Sequence, residues 1–118
     1  MKAVICGELF DGTELTLKSD WTLLIDRGKI ISSQPTSDSQ IPSDSEVLDA
    51  RAFTVIPGLI DCHDHIASFG YEISSRWGLT EQQSHRHMRI ASTLRQTLQT
   101  GYTTIRDAGG LPAGFRNA

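Results

Sequence analysis

With 118 residues, 14 acidic against 11 basic side chains and a formal net charge of −3, the chain has the length of one ordinary domain and no basic bias. No Lys/Arg run is present, which argues against nucleic acid or an anionic membrane as the main partner, and no apolar run approaches the ~18 residues of a membrane span. Met1 to Gly7 is too poor in apolar residues for a signal-peptide core, and acidic residues follow at once. Cys6 and Cys62 are too few and too far apart for a disulfide framework, so the expected compartment is the cytoplasm with both thiols reduced.

In chain order, residues 1 to about 54 read as short strands. Lys2–Cys6 is the first, followed by a turn within Glu8–Thr13 at Asp11-Gly12. Trp21–Asp26 and Lys29–Gln34 flank Asp26-Arg27-Gly28, where Gly28 can take the positive φ of a tight hairpin. From Ser32 to Glu46 the chain is rich in Ser, Asp, Gln and Pro and reads as a solvated loop. Strand character resumes at Val47–Asp49 and Phe53–Ile56, and Val55–Asp61 is expected as a further strand. A helix is expected over about Glu81–Thr100, with a capping-box pattern at Thr80 and Gln83. Met88, Ala91, Leu94 and Leu98 recur at three- and four-residue steps as its apolar face, and Gly101 ends it. Thr103–Asp107, opening on β-branched residues, then reads as a buried strand parallel to the earlier one.

The most informative stretch is Pro57-Gly58-Leu59-Ile60-Asp61-Cys62-His63-Asp64-His65. Strand side chains alternate faces, so His63 and His65 point the same way, roughly 6–7 Å apart along the strand. That lets two imidazoles converge on one metal ion, at about 2.0–2.1 Å from each nitrogen. Ile60 and Cys62 fall on the other face, suited to packing against helices. Asp61 shares the histidine face; a carboxylate there is tolerated only if paired, either supporting a ligand imidazole or fixing the strand end. Asp64 projects oppositely, as a loop or cap carboxylate. His85 and His87 repeat the spacing on a helix, where two positions differ by about 200° and cannot share an ion. Arg106 and Asp107 close the second strand, either near the chemistry, or as an ion pair, or with the carboxylate on loop amides at Ala108–Gly110. Gly109 and Gly110 would let that loop pass close to the site.

The run from Val55 to His65 resembles the first barrel strand of the metal-dependent amidohydrolase superfamily, whose pattern there is Pro-Gly-Leu-Ile-Asp-x-His-x-His. A second run, Gly101-Tyr102-Thr103-Thr104-Ile105-Arg106-Asp107-Ala108-Gly109-Gly110, resembles the second strand and following loop of members similar to imidazolonepropionases and to Xaa-Pro or Xaa-Arg dipeptidases. The resemblance implies an α/β fold: the start of a (β/α)8 TIM-type barrel, preceded by a β-sandwich-like segment. The expected division is residues 1–54 as part of the small β-sandwich domain and 55–118 as the first βαβ portion of the barrel. Such a barrel needs about 250 residues, so an N-terminal piece of a longer enzyme is expected.

The resemblance also implies function: a hydrolase of amide or peptide-like C–N bonds acting through metal-activated water on a small-molecule or dipeptide-like substrate. The metal ligands expected in this chain are His63 and His65, with Asp61 and Asp107 as supporting or substrate-facing groups. Zn2+ is the expected ion, one or two in the full-length enzyme, with Mn2+, Fe2+ and Ni2+ also compatible. The bridging lysine and shuttle aspartate of the family pattern have no counterpart, since Lys2, Lys18 and Lys29 all precede the barrel. The segment Ala67–Trp77, with Phe69, Tyr71, Glu72, Arg76 and Trp77, follows the first strand and is the natural substrate-facing loop. Alternatives at this stage are a catalytically inactive remnant, a small metal-binding module, and, among enzymes, a cyclic-amide hydrolase of the dihydroorotase or hydantoinase kind. A homo-oligomer stays open for the full-length form.

Overall fold

The computed structural model describes residues 1–68 and 81–117. Two compact units divide the chain, Met1–Pro57 and Gly58–Ala118.

The first unit is a four-stranded sheet ordered β3-β2-β1-β4, with β1 Lys2–Leu9, β2 Lys18–Asp26, β3 Lys29–Pro35 and β4 Glu46–Val55. β1 pairs antiparallel with β2 and parallel with β4, and β2 pairs antiparallel with β3. The β2–β3 link has two residues, Arg27 at φ 47° and Gly28 at φ 76°. Positive φ at both central positions matches the right-handed twist of the flanking strands. β1 and β2 bury side chains on both faces, and Cys6, Leu9 and Leu23 form one core cluster, with Val4, Trp21 and Val55 packed against it. Burial raises the Cys6 thiol above its usual range and leaves it a packing residue.

Two sequence expectations change here. Ser32–Gln34, common to the strand and loop expectations, is strand, and β3 runs on to Pro35, because it is an edge whose pairing uses backbone groups and leaves polar side chains free to face water. Val47–Asp49 and Phe53–Ile56 are not separate strands around a turn; β4 is continuous and bulged. Cys6 pairs with Ala50 but Glu8 with Thr54, so β4 carries the extra residues. The bulge is held by Asp49, whose carboxylate accepts the Arg51 amide at 3.1 Å and meets its guanidinium at 2.7 Å. Gly7 makes room: a Cβ there would lie 2.1 Å from the Arg51 carbonyl oxygen.

The second unit holds β5 Leu59–Asp64, helix α1 Gln83–Gln99 and β6 Tyr102–Asp107, with 3-10 turns at Ile66–Ser68 and Ala113–Arg116. β5 and β6 run parallel, giving a βαβ order. The expected strand Val55–Asp61 is displaced: Val55 ends β4, Ile56–Gly58 lies outside both strands, and β5 begins at Leu59, whose amide bonds to the Gly101 carbonyl at 2.9 Å. Pro57, without an N–H, cannot join the ladder. The helix begins at Gln83, after the extended Gln82, and ends before Gly101 at φ 96°. Thr80 lies outside the described residues.

The helix turns a different face inward from the one its apolar residues suggest. Ile90 and Thr93 are buried and Leu94 is half-buried, whereas Met88, Ala91 and Leu98 are exposed. The core is Ile66, Ala67 and Ile90, with Leu94, Ile105, Leu111 and Phe115 around it. Polar side chains border this face because each has a backbone partner: Thr93 Oγ1 donates to the Arg89 carbonyl, Arg86 to Gly110 and Arg89 to Ala67. Ile60 and Cys62, expected against helices, are exposed, as are Thr103 and Thr104. Among the described residues this sheet has two strands, and the helix packs on β6 through Ile105.

Candidate metal centre

Parallel pairing brings the C-terminal ends of β5 and β6 side by side, with Asp64 opposite Asp107. His63 is the penultimate residue of β5 and His65 follows the strand. Their backbone is fixed by neighbouring carboxylates: Asp61 Oδ1 accepts the His63 amide at 2.9 Å, and Asp64 Oδ1 accepts the His65 amide at 2.6 Å. Both aspartates thus hold main chain, and neither bonds to an imidazole.

The two rings lie side by side, 5.3 Å between centroids and inclined at 68°. Two imidazoles bound tetrahedrally at about 2.0–2.1 Å to one ion would have ring centres roughly 5 Å apart. The observed ring separation matches that expected for two imidazoles in such a shell. Both side chains are exposed, so the ring nitrogens need no buried partner. The His65 Nδ1 lies 3.3 Å from the Gly109 carbonyl oxygen. A carbonyl only accepts, so a neutral His65 in this contact carries its proton on Nδ1 and keeps the Nε2 lone pair for a ligand. No cluster of three or more His, Cys, Asp or Glu side chains able to hold a metal occurs among the described residues.

The loop after β6 is tightly organised. Asp107 Oδ2 accepts the amides of Gly109 at 3.0 Å and Leu111 at 3.2 Å. The Ala108 amide donates to the Asp64 carbonyl at 2.6 Å, and Arg86 Nη2 donates to the Gly110 carbonyl at 2.9 Å. Gly109 and Gly110, at φ 144° and 100°, take backbone conformations that side chains rarely allow. Arg106 Nε donates to the Cys62 carbonyl at 2.6 Å, tying β6 to β5. Sequence reasoning missed Arg86 and the Gly109 carbonyl. Only the double glycine signalled the latter, and no pattern signalled the former.

His85 and His87 have separate surroundings. His85 Nδ1 lies 3.3 Å from Glu81, while the His87 ring packs edge-on against Phe115. Glu81 is held below the usual carboxylate range by hydrogen bonds from Arg89, against the opposing effect of desolvation. Phe69, Tyr71, Glu72, Arg76 and Trp77 lie outside the described residues.

No family profile matches the chain. Its fold matches that of a solved amidohydrolase over 98% of this chain and 27% of that protein, with a TM-score of 0.82 and 28% identity. A prolidase solved with N-methylphosphonate-L-proline gives a TM-score of 0.81 at 24% identity, over 99% of this chain and 28% of that one. The α/β architecture is thus that of the N-terminal region of amidohydrolase-superfamily barrel proteins, with only the first part of the barrel present.

Curated relatives are narrower. An imidazolonepropionase of Rhizorhabdus wittichii is 31% identical over 93 residues, 73% of this chain and 23% of the relative. A dihydroorotase of Syntrophus aciditrophicus is 32% identical over 72 residues, 61% and 17% respectively. The chain therefore spans less than a quarter of either curated relative. No described helix is long and apolar enough to cross a membrane.

Proposed function

We propose that this chain is the N-terminal part of a metal-dependent amidohydrolase that splits amide or peptide-like C–N bonds in a small-molecule or dipeptide-like substrate. The observation that carries this reading is the pairing of the His63 and His65 rings, 5.3 Å apart at the end of β5. In this reading these two imidazoles hold a divalent ion, Zn2+ by the preference of such donors, singly or as one of two. A bound ion of this kind lowers the pKa of its water to about 7 and so supplies a nucleophile at neutral pH.

The chain's own contribution is to present ligands. Asp61 and Asp64 fix the backbone on which the histidines sit, and the Gly109 carbonyl lies against Nδ1 of His65, on the other side of the ring from Nε2. The C-terminal end of a barrel strand is where such enzymes build their sites. In the same reading, residues 1–54 belong to a small β-sandwich domain and 55–118 open the barrel. The two free thiols suit the cytoplasm. The likeness to a dihydroorotase keeps cyclic amides as a second substrate class.

The test is metal content in the full-length protein. His63→Ala or His65→Ala should remove bound metal and with it hydrolysis of dipeptides or cyclic amides, whereas His85→Ala and His87→Ala should do neither. Elemental analysis decides the matter, and stoichiometric metal in the double variant of His63 and His65 would sink the assignment.

A further inference from the structure

We infer that Asp107 and Arg86 are positioning residues for His65, acting through the Gly109–Gly110 loop to fix which ring nitrogen is free. The functional consequence rests on the metal reading above, but the geometry stands without it. Asp107 takes two amides of the loop on a single carboxylate oxygen, at Gly109 and Leu111. Arg86 reaches from α1 to the next carbonyl, Gly110, at 2.9 Å. Between these two grips stands the Gly109 carbonyl, and that carbonyl faces His65 Nδ1.

An exposed histidine has no intrinsic reason to keep its proton on Nδ1, and the free side chain favours Nε2. A carbonyl held in place reverses that preference, because it can accept from N–H but repels a lone pair. The carbonyl can do so only while its peptide plane is fixed. Two consecutive glycines at positive φ would otherwise let that plane rotate. Asp107 and Arg86 remove that freedom from opposite ends. Partners of this kind typically account for 10–100-fold in metal affinity when they act on a ligand histidine.

The test is nuclear magnetic resonance of the metal-free, 15N-histidine-labelled full-length protein above the histidine pKa, with His65→Gln used to assign its signals. Wild-type His65 should be in the Nδ1–H form. Asp107→Ala and Arg86→Met should shift it toward Nε2–H, while Asp107→Asn, which keeps an acceptor oxygen for the amides, should stay near wild type. Zinc affinity by chelator competition should fall 10–100-fold in the first two variants only. A purely structural Asp107 would change stability and leave the tautomer alone.

Wild-type His65 in the Nε2–H form, or a folded Asp107→Ala with an unchanged tautomer, overturns the inference. If Asp107→Ala does not fold, an unchanged tautomer in Arg86→Met does the same. The tautomer is read without metal, so its failure is separate from retention of metal by the double variant of His63 and His65.

Discussion

Gly58 precedes the strand that carries both histidines, and its lack of a side chain can be tested sharply. A Cβ at that position would lie 2.0 Å from Thr103 Oγ1, 2.4 Å from Cγ2 and 2.7 Å from Cβ. Ordinary carbon contacts are about 3.5–4.0 Å. Rotating Thr103 could move Oγ1 or Cγ2 away, but its Cβ is fixed to the backbone of β6, so β5 and β6 would have to separate. Overpacking of this kind costs about 1–3 kcal/mol, and a clash that no rotamer relieves belongs at the upper end. At about 1.4 kcal/mol per factor of ten, that is a shift of roughly a hundredfold in the folding equilibrium of the unit.

Urea unfolding of the full-length protein, followed by circular dichroism alongside metal content, would read the loss in Gly58→Ala. Thr103→Ala should rescue it partly, since the 2.7 Å Cβ contact persists. Thr103→Gly should rescue it more fully, despite its own cost of about 0.5–1 kcal/mol in a strand. The double variant would then be more stable than the sum of the singles by up to about 3 kcal/mol. A Gly58→Ala protein within about 0.5 kcal/mol of wild type, or strict additivity with Thr103→Gly, would refute the packing argument.

Acid should loosen α1 through Glu81, whose pKa is lowered in the fold chiefly by Arg89. Its stabilising effect is present above the unfolded pKa of about 4.3 and fades as pH falls through the lower folded value. Comparing unfolding midpoints at pH 7 and pH 3 should therefore show a smaller acid loss in Glu81→Gln than in wild type; equal losses would assign the acid sensitivity elsewhere. Separately, the 118-residue chain expressed alone should be poorly soluble and show no chelator-sensitive hydrolysis. Two imidazoles leave an ion short of ligands, and Ile60, Leu59 and Leu98 stand exposed. Chelator-sensitive turnover abolished by His63→Ala would contradict this.

The strands of the first unit were legible because they are short runs rich in β-branched and aromatic residues and because Asp26-Arg27-Gly28 marks a tight hairpin. The bulge in β4 was not, since Asp49-Ala50-Arg51-Ala52-Phe53 carries no turn glycine; the compensating glycine sits at position 7 on the neighbouring strand. Long-range compensation of this kind has no local pattern. Val55 falls in both the Phe53–Ile56 and the Val55–Asp61 expectation for a related reason, and only the first of these holds it. Apolar residues flank Pro57-Gly58 on both sides, Val55-Ile56 before and Leu59-Ile60 after, but the chain divides there into the end of one unit and the start of the next.

The helix shows why the surroundings of His63 and His65 were harder to read than the histidine pair itself. Periodicity counts apolar residues, and it selected Met88, Ala91, Leu94 and Leu98, three of which are exposed. The inward face instead carries Arg86, Arg89 and Thr93 beside Ile90, polar groups that face inward because backbone carbonyls meet them there. A hydropathy pattern scores an arginine as surface whatever it bonds to. For the histidines, spacing and element type decide which rings meet. Two residues apart on or beside a strand end, His63 and His65 meet at 5.3 Å; two residues apart on a helix, His85 and His87 turn to Glu81 and Phe115. Spacing thus brings the two rings together, while Arg86, on a helix about twenty residues further along, and the Gly109 carbonyl reach the His65 side of the loop only in the folded chain.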